Sequence, residues 1–285
     1  MESPVNILTA IRVHKRQSDR NIPFDPLPVC TAVERALSYS TRIVLAVSLP
    51  QTDLYELLAG LPANTVLHND EHVEVKTATG VHILPFTSAT YGRFIPALNA
   101  IVAFAHAREF KFVLFQSVEV RVLPEQVKQM ADLCDNDVLV VGKAFDAHSF
   151  RSSIPSIGED SAPVFLTGRT CPWNTFALWD VSKLARTGFL LTSETNTPPN
   201  ASAIEEAPTI ALHQRLFPGY SRALLVRFEV ADIGEKDGWG TTWVDPARTE
   251  WHAHKLASKD SSAASHIANI GLAGSTTIVE HVQMS

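Results

Sequence analysis

Residues Tyr91 to Phe145 read YGRFIPALNAIVAFAHAREFKFVLFQSVEVRVLPEQVKQMADLCDNDVLVVGKAF, and the order of their apolar runs decides the fold. Asn99 to Arg108 is Ala-rich with helical spacing. Lys111 to Phe115 (KFVLF) is a continuous apolar run, too short for a helix and suited to a central parallel strand. Pro124 opens a second helix at a favoured first-turn position. Asp137 to Gly142 (DVLVVG) is another buried strand. This helix–strand–turn–helix–strand order places Gln116 to Glu119 at the carboxyl end of a central strand, where open α/β sheets bind ligands.

The same alternation extends toward the N-terminus. Val5 to Val13 is a first strand, followed by the Pro-rich Ile22 to Pro28 and a helix over Val29 to Ser40. Arg42 to Leu49 is a second buried strand, and Thr52 is placed to cap a helix over Asp53 to Leu61. Asn64 to Leu67 begins a third strand, and Val81 to Phe86 forms a fourth. Such βαβ units predict an α/β fold whose mixed, mainly parallel sheet is flanked by helices.

The second half is less regular. Ala147 to Gly168 reads as loop, Trp173 to Trp179 as strand, Val181 to Gly188 as a short helix and Glu194 to Ser202 as loop. Ile204 to Phe217 is helical, with Pro208 setting the start close to itself. Ser221 to Ala231 is a strand, and Trp239 to Ser285 has no clear periodicity.

The 285 residues carry a formal net charge of −6 and no dominant basic block, which argues against a nucleic-acid-binding protein, although a nucleotide pocket needs only local positive charge. No window is long and apolar enough for a membrane span. MESPVNILTAIRV has no basic leader before an apolar core, so we expect no signal peptide and a cytoplasmic location. Cys30, Cys134 and Cys171 are far apart and odd in number, which points to free thiols in a reducing compartment. There is no P-loop, dinucleotide fingerprint or nucleophile elbow.

Leu98-Asn99, the helix to Ala107, the strand ending at Phe115 and the Pro124 helix resemble a segment of family 2 glycosyltransferases, which have the nucleotide-diphospho-sugar transferase (GT-A) fold. A second segment also resembles that family: PWNTFALWDVSKLARTGF from Pro172 to Phe189, then IEEAPTIALHQRLFPG from Ile204 to Gly219. The resemblance implies one GT-A-like domain over residues 1–285, with a nucleotide-sugar-binding half at 1–145 and an acceptor half with a C-terminal tail at 146–285. It implies a nucleotide-sugar donor, an acceptor of unspecified nature and no nucleic acid; self-association remains open.

Glu205 and Glu206 fall at the family's acidic pair. The resemblance makes Glu206 the general base toward the acceptor hydroxyl, with Glu205 its neighbour; alternatively both serve a helix N-terminus through its dipole. On the donor side it points to Arg12, His14 and Lys15 in the basic stretch after the first strand, and to Asn99, Gln116, Ser117, Glu119 and Lys255. The basic stretch also reads as a solvated charge run. Trp173 and Asn174 fall on the acceptor side, although the tryptophans also read as core.

The family's metal-holding acids fall at Gln116 and Val118, so Glu119 is the carboxylate that QSVEV retains. A divalent cation, Mn²⁺ or Mg²⁺, would draw on Glu119 with His252 and His254, the latter two sharing one face if H-x-H is a strand. A conventional two-acid metal site is not expected. His252 to Lys259 otherwise reads as a basic surface segment, and Lys255 and Lys259 could neutralise a diphosphate without metal. Three functions compete: a glycosyltransferase-like enzyme, a non-catalytic GT-A-like binding or partner protein that has lost the metal motif, and a sugar-phosphate nucleotidyltransferase. The last lacks the glycines expected after the first strand.

Overall fold

The structure, a computed structural model, describes residues 6–15, 21–68, 80–86, 94–151, 161–195, 204–229, 250, 253–254 and 256–284. One ten-stranded sheet runs through it in the order β3-β4-β2-β1-β5-β8-β6-β9-β10-β7. Its strands are β1 (Ile7–His14), β2 (Arg42–Ser48), β3 (Val66–Leu67), β4 (Gly80–Pro85), β5 (Phe112–Gln116), β6 (Val138–Lys143), β7 (Ser161–Phe165), β8 (Phe176–Asp180), β9 (Arg222–Phe228) and β10 (Ile278–Met284). All run the same way except β7 and β8. The helices are α1 (Leu27–Ala36), α2 (Gln51–Gly60), α3 (Ile95–Ala107), α4 (Pro124–Asp132), α5 (Val181–Leu184), α6 (Thr192–Thr195), α7 (Glu206–Leu216) and α8 (Lys259–Asn269). The chain thus has a mixed α/β architecture, a large and mostly parallel sheet flanked by helices, consistent with a GT-A-like fold.

The apolar runs explain this arrangement. Strand β5 is buried along its whole length between β1 and β8, as a continuous apolar run requires. Side chains of β2 alternate across the sheet: Ile43, Leu45 and Val47 meet α1 and α2, whereas Val44 and Ala46 join the core shared with α3. Pro124 starts α4, where the Gln126 side chain accepts a hydrogen bond from the Leu123 N–H at 3.2 Å.

Several expectations are corrected. Thr52 does not cap α2: Pro50 is the N-cap, no side chain caps the helix, and Thr52 lies exposed in its first turn. Helix α7 starts at Glu206, two residues before Pro208; a missing N–H within the first turn costs no helical bond. The stretch read as loop from Ala147 contains the edge strand β7, paired antiparallel with β10. Likewise, part of the segment from Glu194 read as loop belongs to α6; its remainder lies outside the described residues. The tail without evident periodicity holds α8 and β10. The buried face of α8 is made of Lys259, Ser262, Ala263, His266 and Ile267, which carries little apolar signal. In β10 a core position is taken by His281, whose Nδ1 accepts from the Arg151 N–H at 2.9 Å.

Candidate active site

Antiparallel pairing sets the site. Because Phe176 of β8 lies opposite Gln116 of β5, the residues just before β8 stand at the carboxyl end of β5. There the Ser117 N–H donates to Thr175 O at 2.9 Å. Asn174, next to Thr175, meets both glutamates at the start of α7. Its backbone N–H donates to Glu206 Oε1 at 2.6 Å, and its side-chain Nδ2 donates to Glu205 Oε1 at 2.8 Å. Asn174 Oδ1 in turn accepts from Trp179 Nε1 at 2.9 Å. One side chain thus ties α7 to the centre of the sheet.

Both glutamates are buried, at 6% and 5% exposure. Two acids side by side in a dry site cannot both ionise cheaply. Burial, then the charge of Glu206, pushes the Glu205 carboxyl up to about 8, while Asn174 and Lys259 act in the opposite direction. Burial and mutual repulsion thus favour a proton on the pair. At the end of β1, Arg12 feels the carboxylates of Glu205 and Glu194; burial nonetheless brings its pKa down to about 10. The Arg12 guanidinium lies 5.6 Å from the centre of the Phe94 ring, and Glu194 Oε1 accepts the Phe94 N–H at 2.7 Å at the start of α3. Arg12, Glu194, Glu205, Glu206 and Asn174 thus converge beside the carboxyl ends of β1 and β5. Sequence reasoning missed Glu194 and Phe94, because neither stands in a periodic run or a motif.

Other proposed residues have structural partners. Lys15 is buried and pairs with Asp53 at 2.7 Å, fastening the end of β1 to α2. The Asn99 amide clasps the backbone of Phe189, donating to its O at 2.9 Å and accepting from its N–H at 2.7 Å. Gly188 has φ +62°, and a Cβ there would come within 2.8 Å of Asn99 Oδ1. Trp173 is not an exposed stacking platform. Its ring is stacked on His148 at 3.6 Å and lies under Lys259 Nζ at 3.9 Å, while its Nε1 donates to Gly168 O. His14 is exposed, and Ser117 and Glu119 are half-buried.

The QSVEV turn does not fit the two-carboxylate clamp that the resemblance implied. Gln116 is buried, accepts from the Tyr39 hydroxyl at 2.5 Å and donates to Val120 O at 3.4 Å. The Val118 side chain offers no oxygen, so Glu119 is the carboxylate of the turn. His254 lies in a helical stretch rather than on a strand, exposed and 3.8 Å from Glu250. His252 and Lys255 lie outside the described residues, as do Trp239, Trp243 and Trp251. Among the described residues no group of three or more His, Cys, Asp or Glu side chains gathers as metal ligands. No described helix is long and apolar enough to cross a membrane.

Strand order and direction define the class: a mixed α/β protein with a large, mostly parallel sheet and a buried carboxylate pair beside the carboxyl ends of its central strands. No protein-family model and no curated protein matches the chain. Among solved structures, it is similar to a crystal structure of S. aureus TarS 1-349, at 13% identity and a TM-score of 0.36. That match covers 65% of this chain and 50% of the other, so the chain spans about half the length of its neighbour.

Proposed function

We propose that the protein is a glycosyltransferase-like enzyme that takes a sugar from a nucleotide-sugar donor. The observation that carries this is the buried Glu205–Glu206 pair, bridged by Asn174 and facing Arg12 beside the carboxyl ends of β1 and β5. The Asn174 N–H fixes one oxygen of Glu206, and the carboxylate can then take a proton. In the proposed step the acceptor oxygen forms a bond to the anomeric carbon and gives its proton to Glu206. The bond from that carbon to the diphosphate breaks, and its electron pair leaves with the diphosphate. Arg12 and Lys259 supply positive charge near the site.

A second reading, a binding protein on the same fold, draws on Gln116, whose amide is held by Tyr39 and Val120 where the family carries an acid. One experiment separates the two. Release of UDP or GDP from nucleotide sugars is measured with a panel of acceptors, with and without Mn²⁺. An enzyme should lose about 10²–10⁴-fold in turnover on Glu206→Gln while retaining nucleotide binding. Nucleotide binding without turnover across the panel supports the binding protein. Turnover unaffected by Glu206→Gln removes Glu206 as the base.

A further inference from the structure

Lys259, the first residue of α8, is a buried cation seated on an aromatic ring. It is 8% exposed, and its Nζ lies 3.9 Å from the centre of the Trp173 ring. The His148 ring stacks on the same indole at 3.6 Å. Among the described residues the Lys259 ammonium makes no ion pair and no hydrogen bond. The indole face attracts it instead, and that attraction strengthens as water is removed. We propose that Lys259 is a positioning residue for the Glu205–Glu206 pair: Trp173 holds its ammonium within electrostatic reach of the two carboxyls but out of contact, so the cation eases the pair's loss of a proton without occupying its oxygens. The proposal deepens the reading of Glu206 as base and rests on it for its catalytic meaning.

The backbone fixes this arrangement. Gly168 lies against the start of α8, where a Cβ would run into the Lys259 carbonyl group and stand 2.9 Å from Asp260 N. The Arg169 N–H donates to Asp260 Oδ1 at 2.8 Å, and Trp173 Nε1 donates to Gly168 O at 2.7 Å. Residues 168 to 174 therefore form one clasp. At one end it grips the start of α8. At the other, Asn174 holds Glu205 at 2.8 Å and Glu206 at 2.6 Å. Lys259 and the pair are thus held by adjacent residues, Trp173 and Asn174.

Several elements bring charge to the pair. Against burial and the charge of Glu206, the Asn174 side chain and Lys259 both favour the ionised form of Glu205. Arg12, at the end of β1, feels Glu205 and also Glu194 of α6, so its charge is divided. Burial, then Glu206, holds the Cys171 thiol well above its usual range, and it stays neutral. Burial, then Lys259, holds His148 well below the usual histidine range, and it stays neutral too. Were Lys259 joined to a carboxylate directly, its hydrogens would occupy the oxygens that a base must offer.

Carbon-13 NMR of the glutamate carboxyls in the full chain tests this, with Glu205→Gln and Glu206→Gln assigning the two signals. Lys259→Met keeps a stem on the indole and removes the charge. It should raise the titration midpoint of the pair by about one pH unit. Lys259→Arg keeps the charge and should leave the midpoint close to that of the wild type. A second measurement needs no substitution at Lys259: its Nζ resonance should shift through the pair's midpoint, because the coupling of two charges is mutual. An unmoved midpoint in a folded Lys259→Met would overturn the proposal. So would an equal rise in Lys259→Arg, or a Lys259 Nζ resonance that stays flat through the titration. Release of UDP or GDP is then followed against pH. In an active enzyme the acid limb of turnover should move up with the midpoint in Lys259→Met, and a limb that stays in place would deny Lys259 its part in the reaction. A shifted midpoint without turnover in any protein supports the placement of Lys259 and counts against the enzyme reading alone.

Discussion

Asn174 joins three buried groups: Glu205, Glu206 and the Trp179 indole. Asn174→Ala removes the side-chain partner of two of them while sparing the backbone bond to Glu206. Each buried group left unpaired costs free energy, so the variant should lose about 1–3 kcal/mol in urea denaturation. An unchanged midpoint would mean that the bridge carries no stability. Glu205 sets a pH dependence of its own. Its carboxyl titrates near 4.5 in the unfolded chain and at about 8 in the folded one. Between these values the folded state holds a proton that the unfolded state has released, so stability falls as pH rises from 4.5 to 8 and levels off above. Glu205→Gln cannot ionise. It should gain on the wild type across that window, by roughly 1–4 kcal/mol once it is crossed. Parallel stability curves for the two proteins from acid to alkaline pH would show that Glu205 is not held neutral by the fold.

Strand β6 shows how an element can position a site that it does not enter. Gly142 lies in it beneath Pro172, and a Cβ there would stand 2.5 Å from Pro172 Cβ and 2.9 Å from its Cα. Pro172 leads straight into Trp173 and Asn174. Gly142→Ala should therefore destabilise the protein by about 1–3 kcal/mol and displace Asn174 from the glutamates. Chemical shifts of the Asn174 side-chain amide that match the wild type would count against this. The strands plainest in the sequence were β1, β2, β5 and β6, whose unbroken apolar runs have no other use, and the runs behind β3, β4, β8 and β9 were legible as well. Strand β10 was missed because Glu280 and His281 interrupt its pattern. Its Glu280 meets Arg222 at 2.7 Å, and His281 bonds to Arg151 N, so polar pairs hold a strand that hydrophobicity does not announce. The carboxylate pair could be picked out because Glu205 and Glu206 follow a recognisable segment. Arg12 was named for its basic neighbours, yet the charges of Glu205 and Glu194 that act on it come from chain crossings that no local pattern records.

Across the whole molecule, β10 is the strand on which the second half depends. It lies between β9 and β7, and its Glu280 forks onto Arg222 through Nε at 2.7 Å and Nη2 at 2.8 Å. A chain ending at Thr277 would leave β7 with no neighbour and turn β9 into an open edge. Such a truncation should aggregate or lose its near-ultraviolet circular dichroism, and a soluble, natively packed product would show that β10 is dispensable. A last consequence follows from β8, the strand that runs against its neighbours on both sides. Strand β6 is made before β8, yet it reaches β5 only through β8. While the chain emerges from the ribosome, the sheet can assemble from β1 to β5 and must then wait, with β6 made but unplaced, until Phe176 to Asp180 has been synthesised. The hazard in the birth of this protein therefore falls in that interval, when two apolar strand edges coexist with nothing yet made to lie between them.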